Sequence, residues 1–450
     1  MTAASPTRSF DVVVVGAGSA GCCAAIASAM SGASTLLVER YGFLGGVSTQ
    51  SLDTFYGFFT PGDRPRKVVG GIPDQVVDRL AGHGEIFLRP NTYGAGTGVT
   101  YNPEYLKIVW DELVASSGAQ VLLHSLFTGI EKRDSSYRLT LTTPGGLLAV
   151  DARRIVDASG DAHVAHALGM PLEDAGTVDA AQTFTTTFRM CNVDLERYRD
   201  AGGKTMLQQK MNDAVVSGRH PLPRRKGSIH AMVQPNCIAT VAVRVPFASP
   251  FDPDALTRAE MEGRRQAYVY ETFLRAEVPG FEDSKIIGMS SPQIGIRESR
   301  RLYGAYRLTR DDCLRQARFE DAVLLCGAPI EDHRMNADGE EETEWCYVPD
   351  GGVYEVPYRT LYAPGFDRIL VAGRCFSADH SAHASCRSMG QTMSMGQGAG
   401  VAAALSLEKD CAVGALDAVK LQARLRDLGA VIEPPDTVAA TGKDDWFRNR

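Results

Sequence analysis

No apolar run in this sequence reaches the ~18–20 residues that a bilayer-spanning helix needs. The basic-then-apolar order of a secretory leader is missing from "MTAASPTRSF", and the apolar run after it is cut by Gly16, Gly18 and Gly21. There is no dense basic block, and the net charge is −7. That argues against nucleic acid or an anionic membrane as the main partner, because both need a positive footprint. Ten cysteines are scattered without a single CxxC, so neither a zinc ribbon nor a thioredoxin-like motif is visible. A reduced, cytoplasmic setting with mostly buried thiols is the expectation, with the adjacent Cys22 and Cys23 as small packing residues. Internal repeats are lacking, as is any pattern that sets an oligomeric state.

What is there is a chain of 450 residues, 44% hydrophobic and 22% charged, enough for two or three domains around a large core. Asp11 to Val15 is a β-branched run suited to a strand buried on both faces. Ser19 to Met30 reads as a helix of small residues that can lie close to a sheet. Ser34 to Val38 is a second strand, ending at Glu39, and the three form a right-handed βαβ unit. Pro73 to Leu80 reads as a helix, and "NPEYLKIVWDELVASSG" as another, capped by Asn102 with Pro103 at its first position. A β-meander follows around the turn Pro144-Gly145-Gly146 and returns to a buried strand at Arg154 to Asp157. Beyond it, strands are expected near Gln182–Met190 and Ile238–Val245, with a long charged helix from Asp252 to Arg275. "FDRILVAGR" is a buried strand, "GQGAGVAAALSLEKD" a glycine-rich entry to an Ala-rich helix, and "LDAVKLQARLRDLGA" an amphipathic helix. The expected class is α/β, a Rossmann-like domain of parallel sheet plus β-meander with a mixed α+β substrate domain. Its parts are 10–170 and 361–432 for the nucleotide domain, 171–360 for the substrate or cap domain, and 433–450 for a polar tail.

Gly16-x-Gly18-x-x-Gly21 meets the needs of a pyrophosphate turn: a tight bend, close backbone approach to phosphate, and close helix–strand packing. The helix N-terminus that follows favours negative charge. Glu39 lies eighteen residues beyond Gly21, where an acid meets a ribose diol, and it opposes a 2′-phosphate. Three features favour FAD over NAD. The turn opens the chain, with "YGFLGGVST" close behind. A distant segment, "ILVAGRCFSADH" followed by "GQGAG", offers a second contact region. "RRIVDASGDA" places a polar turn after a buried strand. With "DVVVVGAGSAG", "VVGGIPDQVVDRL", "YNPEYLKIVWDEL", "GIRESRR" and "YEVPYRTLYAPGFDRILVAGRCFSADHSAHASCRSMGQTMSMGQGAG", the chain from Asp11 to about Ala430 resembles the FAD-dependent oxidoreductases of the glutathione-reductase-like, fumarate-reductase-related class.

The resemblance implies bound FAD and redox chemistry on a small molecule, and it fixes the cofactor better than the substrate. Carried over by position, Gly16, Gly18, Ala20 and Gly21 would face the pyrophosphate. Glu39 would bind the adenosine ribose, with Arg40 beside the adenine. Gly45, Gly46 and Ser48 would line the path toward the flavin, and Ser159, Gly160 and Asp161 the adenine-side crossover. Gly373 and Arg374 would approach the ribityl chain. Related flavoproteins often have Gly-Asp there, so Asp379 is an alternative contact. A turn around Gly396, Gly398 and Gly400 would aim a helix N-terminus at the flavin pyrimidine, where reduced flavin carries negative charge. No second nucleotide turn appears, so electrons are expected to enter from the substrate and to leave through oxygen or a separate acceptor, or else to come from a reductase.

The polar segment "SADHSAHASCRS" holds the candidates for chemistry. His380 and His383 suit proton transfer near neutral pH, and Arg387 suits an anionic substrate group. The bland alternative is that they brace the FAD loop. Asp379, His380 and His383 have the spacing of a metal site but lack a further ligand, and no metal is expected. Arg297 faces the site in this reading, while Arg300 and Arg301 form ion pairs with groups such as Glu298. His333, on a charged loop, reads equally as solvated surface. Tyr354 and Tyr358 read as core, and Cys375 and Cys386 as buried packing. The reaction expected is dehydrogenation of a C–H beside O or N. Flavin monooxygenation and a purely structural FAD are the alternatives.

Overall fold

A computed structural model describes residues 7–91, 93–335 and 341–439. The first six residues and most of the tail expected over 433–450 lie outside the described residues.

Strand β1, Arg8–Val15, is followed by helix α1, Ser19–Met30, and strand β2, Thr35–Val38. β1 and β2 pair in parallel, Val12 with Thr35 through Val15 with Val38. Val12, Val13 and Val14 are fully buried, each worth about 1.5–3 kcal/mol of apolar transfer. A seven-stranded sheet grows from this pair. Gln120–Leu122 adds in parallel beyond β2, and Gly146–Asp157 adds in parallel on the other side of β1. On its side away from β1, Gly146–Asp157 serves two further partners along its twelve residues. Its first half pairs antiparallel with Tyr137–Thr143 of the meander, and its last residues pair in parallel with Ile369–Val371. Thr143 faces Gly146, so the meander turn is the two residues Pro144-Gly145.

Helix α1 lies against the long helix Met389–Glu408. The backbones approach so closely that a Cβ on Gly396 would stand 2.0 Å from the Ala20 carbonyl oxygen, and one on Gly400 2.2 Å from that of Ala24. These glycines therefore sit in mid-helix, packed on α1. The expected turn at Gly396 to Gly400 is not there: the helix begins seven residues earlier than Gly396, at Met389. The glycine run that reads as a turn is a packing surface.

A second layer of structure lies between residues 184 and 296. A four-stranded antiparallel sheet runs His230–Ala231, Ile238–Thr240, Phe188–Cys191, Lys285–Met289. The helix Pro253–Glu277, capped by Asp252, packs over it through Tyr270 and Phe273. The strands are shorter than the alternation suggested. Phe184 and Thr185 make only isolated bridges, to Val245 and Gly295. Elsewhere the helices stand close to expectation, at Ile72–Gly82, at Pro103–Ser117 with the Asn102 side chain accepting from Glu104 N at 3.1 Å, and at Ala418–Asp427. Ile330–Met335 and Glu341–Cys346 form a hairpin, so His333 stands on a strand and not on a loop.

Candidate active site

The turn between β1 and α1 is built by contact. Gly16 has φ +94°, and a Cβ there would lie 2.5 Å from the Ala158 carbonyl oxygen. A Cβ on Gly21 would lie 1.8 Å from the Gly16 carbonyl oxygen. Gly18 is the N-cap of α1 without a side-chain cap, and nothing lies within 4 Å of where its Cβ would be. An open helix terminus of this kind attracts an anion. Glu39, 7% exposed, holds both carboxylate oxygens at this turn, Oε2 accepting from Ala17 N at 2.7 Å and Oε1 from Tyr41 N at 2.9 Å. Arg40 lies over the Tyr41 ring and donates to Gln293 Oε1. Gly45 bridges Gly18, and Gly46 packs on the Gly18 Cα. Ser48 is fully buried and donates to the Gly45 carbonyl at 2.7 Å, closing its own turn.

Opposite stand the ends of two other strands. Ser159 Oγ donates to Asp157 Oδ1 at 2.6 Å and accepts from His163 N. Arg374 donates to the carbonyls of Gly160 and Ile296, each at 2.7 Å, and to Asp161 Oδ1 at 2.8 Å. Burial alone would raise the Asp161 carboxyl, but Arg374, His163 and Arg40 hold it below the usual range. Arg374 is thus a clamp between three segments. Asp379 is occupied as well: it caps the helix His380–Cys386 through Ala382 N at 2.7 Å and accepts from Arg310 N at 2.8 Å.

One cavity of about 1360 Å³ joins these parts. It touches Gly18, Ala20, Gly160, Gly373 and Arg374, and it extends to Tyr56, His230, Arg244, Glu331 and His333. Ser388, Met389 and Thr392, at the start of the long helix, line it too. A helix N-terminus therefore does line the cavity, but Met389 opens it while Gly396 and Gly398 are buried in its interior. A Cβ on Gly398 would meet Val323 at 3.5 Å.

The candidates for chemistry divide. Arg297 and Arg387 line the cavity, and His380 and His383 do not. Arg297 donates to the Thr183 carbonyl at 2.6 Å, and Arg387 to Gln182 Oε1 at 2.9 Å and the Glu331 carbonyl at 3.2 Å. His380 is buried between Glu298 Oε2, at 3.2 Å from Nδ1, and Asp332 Oδ2, at 3.0 Å from Nε2. Burial works against its charge, but the two carboxylates outweigh it and push the pKa up to about 9. His383 is fully buried, which pushes its pKa down to about 3, and its Nε2 meets the Arg374 carbonyl at 2.8 Å. His383 thus braces the loop that carries Arg374, while His380 ties Glu298 to Asp332. Arg301 pairs with Glu298 at 2.6 Å and with Glu173, and Arg300 with Asp174 at 3.2 Å. Tyr354, Tyr358, Cys375 and Cys386 are core, as are Cys22 and Cys23.

Sequence reasoning missed Glu331 and the pair His230–Asp53, and it left His333 undecided. His333 Nε2 lies 3.0 Å from Glu331 Oε1, and Nδ1 lies 2.9 Å from Thr343 Oγ1. Burial raises the Glu331 carboxyl, yet His333, Arg387 and Arg297 bring it down to about 2. Burial and then Arg297 and Arg244 lower His333, which keeps the imidazole neutral. The signal for this pair was the spacing in "IEDHR", where Glu331 and His333 stand two apart and so share one face of a strand.

No curated protein sequence matches the chain significantly. Solved structures match the chain at low identity. The p-nitrophenol 4-monooxygenase of Pseudomonas putida DLL-E4 is 11% identical, over 93% of this chain and 84% of its own, with a TM-score of 0.49. An aromatic hydroxylase of angucycline biosynthesis is 15% identical, over 95% and 70%, at 0.48. Aklavinone-11 hydroxylase, solved with FAD and aklavinone, is 14% identical, over 90% and 64%, at 0.44. Among the described residues no helix is long and apolar enough to cross a membrane. The model of one family, FAD dependent oxidoreductase, matches residues 11–425, nearly the whole chain. The open helix terminus at Gly18 and the cavity it lines fit that dinucleotide, and the acid at the tip of β2 stands behind the turn, bound to its backbone. The chain belongs to the FAD-dependent oxidoreductase family, and FAD is its cofactor.

Proposed function

We propose that the protein dehydrogenates a small anionic organic molecule. The observation that carries this reading is a single cavity lined both by the open α1 terminus and by Arg297 and Arg387. In it, residues 10–170 and 361–432 hold the cofactor and residues 171–360 cap the substrate. The backbone at Gly16, Gly18, Ala20 and Gly21 takes the pyrophosphate, Glu39 the ribose, and Gly160 and Gly373 flank the cofactor's path. Bound FAD supplies a two-electron acceptor that takes a hydride. Arg387, fixed by Gln182 and the Glu331 carbonyl, and Arg297, fixed by the Thr183 carbonyl, orient the substrate's anionic group. The uncapped N-terminus at Met389 favours negative charge on its side of the cavity.

Anaerobic titration of the FAD-loaded protein with small carboxylate-bearing donors tests this. The expected result is loss of the oxidised-flavin absorbance in proportion to donor. Reduction by NAD(P)H alone, with oxygen entering a product, would replace dehydrogenation by monooxygenation. Flavin untouched by every donor would make FAD structural.

A further inference from the structure

His230 differs from the other histidines around the cavity in one respect. His333 has both ring nitrogens engaged, and His380 and His383 stand outside the lining. His230 lines the cavity, and only its Nε2 is engaged, 2.9 Å from Asp53 Oδ1. Its Nδ1 has no protein partner among the described residues and is not among the buried unsatisfied atoms. The imidazole is held at the sheet edge, where His230 pairs with Ala239.

Asp53 is placed to orient that ring. It is 1% exposed, and its Oδ2 is buried without a hydrogen-bond partner. Burial alone would protonate it, but His230, Arg89 and Arg189 keep it ionised. A carboxylate so placed accepts Nε2–H, leaves Nδ1 as the lone-pair nitrogen, and gains when the ring becomes cationic. Tyr56, whose hydroxyl accepts from Arg89, lines the cavity within the electrostatic reach of both Asp53 and Glu331. It places the His230–Asp53 pair and the Arg387–Glu331 wall around the same space.

We propose that His230, oriented by Asp53, accepts the substrate's proton, and that the substrate is therefore a carboxylate-bearing alcohol or amine. This rests on the dehydrogenation reading above. The O–H or N–H bond breaks, its proton passes to Nδ1, and its electron pair becomes the second bond of C=O or C=N. The neighbouring C–H leaves with its pair as hydride to the FAD of the loaded protein. The imidazolium is held by Asp53 and returns its proton to solvent.

Two measurements on the FAD-loaded protein test the assignment. Diethyl pyrocarbonate with peptide mass spectrometry is expected to modify His230 and to spare His333, His380 and His383. A spared His230 overturns the free-nitrogen argument. In anaerobic stopped flow with 2-hydroxy and 2-amino acids, His230→Ala is expected to slow flavin reduction on the order of 100-fold or more, with added imidazole restoring part of the rate. Asp53→Asn is expected to slow it without response to imidazole. If His230→Ala loses FAD, His230→Gln replaces it in the comparison. A variant as fast as wild type, or slow and indifferent to imidazole, removes His230 from proton transfer. A wild type that none of these donors reduces removes the substrate class, and dehydrogenation falls with it only if every other carboxylate-bearing donor fails too.

Discussion

His380 sits between two carboxylates, and its position makes part of the stability depend on pH. Its folded pKa of about 9 lies above the unfolded value of about 6.5. Its contribution is therefore complete below about pH 6.5 and is lost as pH rises through about 9, with an upper bound of about 3 kcal/mol. Glu298, held down to about 2 by His380, His383 and Arg301 against its burial, works the other way: its share is present above about pH 4.3 and is lost as pH falls toward 2. The gap in melting temperature between wild type and His380→Gln should accordingly shrink from pH 6.5 to 9. A constant gap would mean the ring is not charged in the folded protein. Glu39 gives a second test. Glu39→Ala strands the Ala17 and Tyr41 N–H groups, which costs about 1–3 kcal/mol of stability. It should also lower bound FAD per chain by more than that loss explains, as measured by absorbance after gel filtration. Unchanged flavin content would take Glu39 off the ribose. The place of Glu39 at the tip of β2 was legible because its spacing from Gly21 is set by one helix and one strand. The surroundings of the histidines were not, because "DHSAH" reads alike whether it faces a ligand or, as here, Glu298 and Asp332 around His380 and the Arg374 carbonyl at His383.

At the scale of elements, the contact between α1 and Met389–Glu408 decides whether the turn from Gly16 to Gly21 keeps its shape. Gly396→Ala would drive a methyl into the Ala20 carbonyl and push the two helices apart. It should lower the melting temperature and weaken FAD retention together. Gly398→Ala, two residues on, meets Val323 and Leu361 at ordinary contact distance, and should stabilise by up to about 1 kcal/mol as a helix-interior glycine is removed. Calorimetry on the two variants checks the pair; equal effects would refute the packing argument. This is also where sequence reading slipped. Glycine signals turns by default, and nothing local to "GQGAG" tells that another helix lies against it. The βαβ unit, by contrast, was legible, since its strands are apolar runs and its helix is mostly small residues.

For the molecule as a whole, charge is unevenly placed. The chain carries a net −7, yet nine Lys and Arg line the cavity against two Glu. Such a lining draws in anions, and the association rate of FAD with the apoprotein should fall as salt rises past ~0.1 M, where screening reaches about 10 Å. A rate insensitive to salt would put the attraction down to shape alone. None of this was visible in composition, because the cations come from stretches as far apart as Arg89 and Arg387. The Gly146–Asp157 strand adds a consequence of timing. Its outer half is paired within the meander, but its inner half waits for Ile369–Val371, and α1 waits for Met389–Glu408. On the ribosome, the front of the chain must stay without its back wall until more than two hundred further residues have been made. Nascent chains halted before Met389 should emerge colourless, so that the yellow pigment marks a finished polypeptide.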